Sequence, residues 1–338
     1  MKIKTLTLLM RLLFIFLLSS CKTDPKPEKE QVKLTGNPAI DKISADILNE
    51  PQNAMLYAQR AELFYENEGY DEAIQDMSTA LKLDSMNVKF HHLLADVYMD
   101  YYKSKMALKT MERAAKMYPE RIPTLLKMAE FYHIVKMYDE SMRTIDQILR
   151  MNPQNAEAYF MFGLNFEELD DTKRAIISFR KAVDYEPDLL DGWIHLGQLH
   201  AEKKPEMAVK YFTTAMDIDP RNILAVHTKA DFLRDQNDII GAIELYKKIG
   251  LIDQQYDGGY FNAGLLYLEL DSVVLAKDMF DITIGVSPTH AKAYFFRGLS
   301  YEKMENIEQA KLDYEQSLRF KSDYAEAKNR LEELNKKG

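Results

Sequence analysis

The sequence predicts an all-α solenoid, a stack of helix-turn-helix repeats, and three observations lead to this prediction. A pattern with a period of 34 residues runs from Ala54 to Tyr324 of the 338-residue chain. Within each period, apolar residues follow the i, i+3/i+4, i+7 spacing of two amphipathic helices. Polar turn residues separate the two helices, and a proline near the end of many periods stops the second one.

The stretch 156–189 shows the pattern most clearly. With Ala156 as position 1, small residues occupy positions 8 and 20, and large apolar or aromatic residues occupy positions 4, 11 and 24. Small residues let two helices approach closely, so the large residues are predicted to pack in the core. Position 8 is filled in turn by Ala61, Ala95, Ala129, Gly163, Gly197, Ala230, Gly264 and Gly298.

One period is a residue short. Gly197 and Ala230 are 33 residues apart, and the missing residue lies before Ala208, in the turn of the fifth period. A deletion in a turn leaves both helices intact, so the repeat pattern is preserved.

This pattern of small, aromatic and proline positions resembles the tetratricopeptide repeat, a 34-residue helix-turn-helix. The resemblance implies a right-handed α-solenoid in which helix A of each repeat lines a concave groove. The predicted helix at 38–53 supplies an N-terminal half-repeat, and the charged segment 325–338 supplies a C-terminal capping helix. The eight predicted repeats are 54–87, 88–121, 122–155, 156–189, 190–222, 223–256, 257–290 and 291–324.

The junction of the sixth and seventh repeats is unusual. Gly250 and Gln254 stand where other repeats have a larger residue and a proline, and Gly258 and Gly259 follow. Glycines without a proline lower local rigidity. Two interpretations remain open, namely a flexible joint and tolerated drift at one interface.

The N-terminus is predicted to be a lipoprotein signal peptide. A basic head and a short apolar run precede Leu18-Ser19-Ser20-Cys21, which resembles the bacterial lipobox. Cys21 is the single cysteine of the chain, which leaves no disulfide framework. We expect residues 1–20 to be removed, Cys21 to carry fatty-acyl chains such as palmitate, and 21–37 to form a disordered tether. The resemblance implies a bacterial envelope, and Lys22 after the cysteine suggests the outer membrane.

Charge and motifs exclude several classes of function. The formal net charge is −9, and removal of residues 1–20, with their three positive charges, leaves −12. An acidic chain without basic blocks argues against nucleic acid and against adhesion to anionic lipid, so the lipid anchor is the expected membrane contact. Catalytic and nucleotide-binding motifs are absent, and no two histidines share a helical face at i, i+4. We expect no enzymatic activity, no cofactor and no metal.

The resemblance implies that positions 2, 5, 9, 12 and 13 of helix A point into the groove. Positions 12 and 13 close helix A, where the helix dipole disfavours a negative charge by about 0.3–1 kcal/mol. Eight acids nevertheless occupy them: Glu66, Asp100, Glu167, Glu168, Glu202, Asp235, Glu269 and Glu302. Apolar groove positions are Leu126, Phe160, Leu164, Ile194, Phe261, Leu265, Phe295 and Leu299.

These residues predict a groove that binds a basic, partly apolar protein segment. The expected function is a non-enzymatic scaffold tethered to the envelope, in the assembly of a secretion, pilus or cell-wall complex. Two alternatives remain open. One is a self-associating structural subunit, and the other is a hydrolase built on groove carboxylates.

Overall fold

The computed structural model describes residues 35–337, and this part of the chain is helical without any strand. The all-α prediction is therefore confirmed. The predicted signal peptide and Cys21 lie outside the described residues. The helices are α1 Pro38–Asn49, α2 Ala54–Glu66, α3 Tyr70–Leu83, α4 Val88–Asp100, α5 Ser104–Met117, α6 Ile122–Ile134, α7 Tyr138–Met151, α8 Ala156–Glu168, α9 Thr172–Tyr185, α10 Leu190–His200, α11 Pro205–Ile218, α12 Ile223–Asp235, α13 Ile239–Ile252, α14 Gly258–Glu269, α15 Val273–Val286, α16 Ala291–Lys303, α17 Ile307–Phe320 and α18 Ala325–Lys337.

The helices group into two compact units. The first ends at Met117 and includes α1 to α5, and the second begins at Tyr118 and includes α6 to α18. Within each unit, helix A packs most closely against helix B of its own repeat, and helix B packs against helix A of the next repeat. This is the order of packing expected for stacked repeats, in which each buries its apolar faces only against its neighbours.

Asparagine side chains begin several of the A helices. Asn53, Asn87, Asn155 and Asn222 each precede an A helix, and each side-chain oxygen accepts a backbone N–H from two or three residues further on. An Asn at this position satisfies a donor that the helix itself leaves unpaired. The N-cap therefore fixes where the A helix of a repeat starts.

The turn from helix A to helix B uses one left-handed residue at position 15. In the fourth repeat, Asp170 has φ +57°, its N–H donates to Glu167 O at 2.9 Å, and the next N–H, of Asp171, donates to Phe166 O at 2.8 Å. These two bonds form the Schellman motif, which satisfies the last carbonyls of a helix. The same conformation occurs at Glu68, Tyr102, Lys136, Asn237, Asp271 and Glu305.

The fifth repeat is the exception. Its described residues include none with positive φ, and the N–H of Lys204 donates to His200 O at 2.9 Å instead. The residue missing from this repeat is therefore the left-handed one, and an ordinary i to i−4 bond replaces the Schellman motif. The B helix α11 keeps its 14 residues, whereas the A helix α10 has 11, two fewer than the 13 of most A helices. Glu202 therefore lies in the turn and not at the end of helix A, the position that the sequence had predicted.

The core depends on a size match between positions 8 and 24. A Cβ added to Gly163 would lie 2.4 Å from the ring of Phe179, and one added to Gly197 would lie 2.4 Å from Phe212. Rings at position 24 also face Gly264 and Gly298, whereas the alanines at 61, 95 and 129 belong to repeats with the smaller Met77, Met111 or Ile145. The side chains at positions 8 and 24 fill the same space in the core, so a larger residue at one position requires a smaller residue at the other.

The glycines between the sixth and seventh repeats permit close approach of α13 and α14. A Cβ on Gly250 would lie 2.2 Å from the ring of Tyr260, and a Cβ on Gly259 would lie 2.4 Å from the backbone oxygen of Tyr246. A side chain at either position would overlap the neighbouring helix. Packing therefore accounts for these two glycines, a role that neither the flexible joint nor the drift interpretation included.

Candidate partner-binding surface

Two consecutive A helices, α6 and α8, border a cleft of about 510 Å³ in the second unit. The predicted groove residues Leu126 and Phe160, at position 5 of their repeats, both line it. Both side chains are half-buried, so each keeps an accessible edge. We call this site the α6/α8 cleft, and its lining residues are Pro123, Leu126, Lys127, Glu130, Glu157, Phe160 and Met161.

A second cleft of about 470 Å³ lies at α14, α16 and α18, and we call it the α14/α16 cleft. It brings together the predicted groove residues Phe261 and Leu265. The ring of Phe261 lies 4.8 Å from that of His290 and 5.9 Å from that of Phe296. The lining residues are Phe261, Leu265, Lys292, Phe296, Lys321, Asp323, Tyr324, Ala325 and Glu326.

Two of the predicted apolar groove residues are not accessible. Ile194 is 4% exposed, because it packs in a cluster with Ala215 and Ala225. Phe295 is 8% exposed, and its ring lies 5.0 Å from that of Tyr324. The prediction that these two side chains are exposed is therefore wrong. Leu164 and Leu299 are half-buried, and Leu164 packs on the cluster around Phe179.

Tyrosines hold two of the predicted groove acids in place. In the first unit, the Tyr65 hydroxyl donates to Asp100, and in the second unit the Tyr138 hydroxyl donates to Glu168 at 2.9 Å. Desolvation is the main cause that raises the pKa of Tyr65, and the hydrogen bond to Asp100 adds to it. Desolvation and the hydrogen bond to Glu168 raise the pKa of Tyr138 in the same way. Each bond joins neighbouring repeats. A neutral hydroxyl donor nevertheless leaves the carboxylate its charge.

Glu167 faces a histidine of the next repeat. Its Oε2 lies 2.8 Å from the buried His195 Nδ1. The His195 ring is held by stacking on Phe179 at 4.8 Å.

Asp235 belongs to a polar network on α12 and α13. Arg234 lies 2.9 Å from Asp235 and 3.2 Å from Asp231. Asp231 also accepts the Tyr246 hydroxyl, and lies 3.0 Å from His227 Nδ1. Burial, followed by the bond to Asp231, raises the pKa of Tyr246. The sequence analysis did not predict this network. Its signal in the sequence is a tyrosine at position 24 in a repeat with alanine at position 8, because the other rings at position 24 accompany glycine.

Glu302 is likewise engaged within the protein. It accepts the Tyr314 hydroxyl at 2.7 Å, and Arg330 of α18 lies 3.4 Å away. Glu66 of the first unit and Glu202 and Glu269 of the second are exposed and have no partner among the described residues. Local contacts thus explain some acids at the end of helix A but not all of them.

Over residues 35–337, no three His, Cys, Asp or Glu side chains are grouped so as to hold a metal ion. Within the same residues, none of the helices combines the length and the apolar character that crossing a membrane would require.

Comparisons with known proteins agree with the helical repeat. The family model described as "Tetratricopeptide repeat" matches residues 156–189 and 291–329. The human protein O-mannosyl-transferase TMTC3 is 25% identical over 246 residues, which are 70% of this chain and 27% of that protein. Human tetratricopeptide repeat protein 6 is 24% identical over 206 residues, 50% of this chain and 40% of that protein. This chain thus spans well under half of each relative.

Among solved structures, a crystal structure of MamA protein aligns with a TM-score of 0.45 and 19% identity, over 51% of this chain and 94% of that one. The matched repeats at 156–189 and 291–329 begin with the helix pairs α8–α9 and α16–α17. The chain therefore contains tetratricopeptide repeats at these residues, within an all-α series of helix-turn-helix pairs.

Proposed function

We propose that this protein is a non-enzymatic interaction scaffold whose second unit binds a basic, partly apolar segment of a partner protein. The observation that carries the proposal is the α6/α8 cleft, where apolar side chains lie beside exposed carboxylates that have no partner in the described part of the chain. Tetratricopeptide repeats build extended surfaces for protein partners. Apolar contacts in such a cleft supply affinity, and the surrounding charge selects the partner.

Glu202 and Glu269 test the electrostatic part of the proposal, because both are exposed and neither forms a hydrogen bond or ion pair within residues 35–337. We expect the variant Glu202→Lys/Glu269→Lys to bind a fluorescein-labelled peptide of Lys and Leu residues about tenfold more weakly than the wild type at low salt. High salt should weaken wild-type binding. A peptide with Glu in place of Lys is the negative probe.

The matched control is Glu244→Lys/Glu315→Lys, which changes the net charge equally but on exposed positions of the B helices α13 and α17. Binding is measured by fluorescence anisotropy. The proposal fails if both double variants weaken binding equally, because the effect would then reflect net charge alone. It also fails if no Lys/Leu peptide binds at all.

The anchor is a separate part of the proposal. We propose that Cys21 carries fatty-acyl chains and holds the protein at a bacterial envelope membrane, where it serves the assembly of a secretion, pilus or cell-wall complex. The lipobox-like residues Leu18 to Cys21 support this. Labelling with a radioactive fatty acid should mark the wild type but not Cys21→Ala, and the variant should leave the membrane fraction. Equal labelling of both proteins would refute the anchor.

Exposed apolar side chains favour self-association as the second candidate function. On α13 Leu251 is 78% and Ile240 59% exposed, and on α15 Val274 is 56% exposed. Exposed apolar side chains are candidates for such an interface, because large apolar patches at a protein surface mark interaction sites. Self-association predicts a mass that rises with concentration in sedimentation and that falls to the monomer value in Leu251→Glu/Val274→Glu.

A further inference from the structure

The α6/α8 and α14/α16 clefts use equivalent positions of the repeat but differ in charge. Position 2 of the second repeat in each cleft is Glu157 in one and Lys292 in the other. Position 9 of the first repeat is Glu130 in one and Leu265 in the other. The repeat thus places an acidic rim on one cleft and a lysine on the other.

The rim of the α6/α8 cleft is available to a ligand. Glu130 and Glu157 are both exposed, and neither has a partner among the described residues. The one cation of the lining, Lys127, has its ammonium 5.6 Å from the Phe131 ring, and it takes part in a further interaction within the protein. The two carboxylates are therefore not neutralised by contacts of their own.

Local helix electrostatics account for only one of these charges. Glu157 lies in the first turn of α8, where the helix dipole favours a carboxylate. Lys292 occupies the same turn of α16, where the dipole disfavours a cation. Glu130 lies in the interior of α6, away from both ends. The dipole therefore accounts for Glu157 but not for Glu130 or Lys292.

We infer that the α6/α8 cleft binds one arginine or lysine side chain of the partner. The aliphatic stem lies along Leu126, Phe160 and Met161, and the cationic head lies at Glu130 and Glu157. Arg and Lys combine an apolar stem with a charged end, which is the pairing of surfaces that this cleft offers. The Phe160 ring adds an aromatic face for the cation. This inference rests on the proposed function and assigns its cationic subsite.

The α14/α16 cleft provides the matched comparison within the same unit. It has a similar volume, about 470 Å³ against about 510 Å³, and an aromatic lining. Lys292 and Lys321 lie on its rim, with Asp323 and Glu326 opposite in charge. The two lysines and the two carboxylates balance, so a cationic side chain gains no net attraction in this cleft. We therefore expect the preference for a cationic side chain to come from the α6/α8 cleft.

The test uses the full-length chain and two fluorescein-labelled peptides, Gly-Leu-Arg-Leu-Gly and the same peptide with norleucine in place of arginine. Norleucine keeps the apolar stem and removes the charge. We expect the arginine peptide to bind about fivefold more tightly by anisotropy. In Glu130→Gln/Glu157→Gln that ratio should fall to about one, with the norleucine affinity unchanged, whereas Lys292→Gln/Lys321→Gln should keep the wild-type ratio.

The outcomes distinguish failure of this inference from failure of the proposed function. If the arginine preference persists in Glu130→Gln/Glu157→Gln, the cationic subsite is elsewhere and this inference is overturned while the proposed function stands. If neither peptide binds the wild type, both are overturned. A fall in norleucine affinity in the double variant would indicate a disturbed fold. The single variant Glu157→Gln, at an exposed position, then decides, and an unchanged ratio there overturns the inference.

Discussion

Gly259→Ala should destabilise the second unit, whereas Gly285→Ala should stabilise it. Both residues are helical, Gly259 in α14 and Gly285 in α15. A Cβ on Gly259 would lie 2.4 Å from the backbone oxygen of Tyr246, but a Cβ on Gly285 would have no heavy atom within 4 Å. Because the neighbour of Gly259 is backbone, no rotamer change relieves the overlap. The two substitutions add the same methyl group in opposite environments.

The magnitude follows from two opposing contributions. Replacing glycine by alanine in a helix stabilises it by about 0.5–1 kcal/mol. Forcing extra volume into a packed interface costs about 1–3 kcal/mol. Gly285→Ala receives only the first contribution, so its free energy of unfolding should rise by about 0.5–1 kcal/mol. Gly259→Ala receives both, and the two variants should differ by about 1–3 kcal/mol.

Urea unfolding followed by tryptophan fluorescence measures this difference. The chain has one tryptophan, Trp193, which lies in the second unit, so the signal reports the unit that carries both glycines. Equal slopes of the unfolding transitions would let the midpoints be compared directly. If Gly259→Ala were as stable as Gly285→Ala, the close approach of α13 and α14 would be refuted, and a flexible joint would again be a valid interpretation.

Three further predictions concern turns, ion pairs and pH. Lys136→Gly should raise the free energy of unfolding by about 0.5–1 kcal/mol, because φ at this position is +62° and glycine adopts it without strain, and an unchanged urea midpoint would contradict this. Arg297→Met should lower the free energy of unfolding by about 3 kcal/mol, since it leaves the buried Asp313, whose side chain is 6% exposed, without its ion-pair partner at 2.7 Å. The double variant Arg297→Met/Asp313→Leu should recover most of this loss in the same assay. Hydrogen bonds from the backbone and then the side chain of Arg174 lower the pKa of Asp171. The stabilisation that the Asp171 carboxylate gives to the folded protein is therefore complete above the unfolded pKa of about 3.9, and it is lost as the pH falls through the lower folded pKa. The melting temperatures of the wild type and Asp171→Asn should therefore converge at acid pH, and a constant difference would refute this prediction.

Several features of the fold could be predicted from the sequence because they depend on local chemistry. Helix periodicity, polar turns and the alternation of small and large residues identify the helix pairs and their spacing. The short fifth repeat was visible as a spacing of 33 between Gly197 and Ala230. The structure adds that the absent residue is the left-handed one of the turn. Backbone conformation at that position cannot be deduced from polar residue types such as Lys136 and Asp170.

The candidate site was less predictable, because it depends on contacts between repeats. Sequence position identified Leu126 and Phe160, which do line a cleft. It also selected Ile194 and Phe295, which neighbouring repeats bury. A helical position specifies the direction of a side chain but not how far the next repeat covers it.

By itself, then, the sequence determined the all-α class, the repeat length and the acidic character of the helix A positions, since periodicity and charge are properties of neighbouring residues. Only the tertiary structure decided which acids are free. Tyr65 and Tyr138 each reach an acid of the next repeat, about thirty residues away, whereas no such donor reaches Glu202 or Glu269 from the part of the chain that the structure describes. The physical reason is that a hydrogen bond between repeats requires the stacked geometry, which places residues distant in sequence within 3 Å.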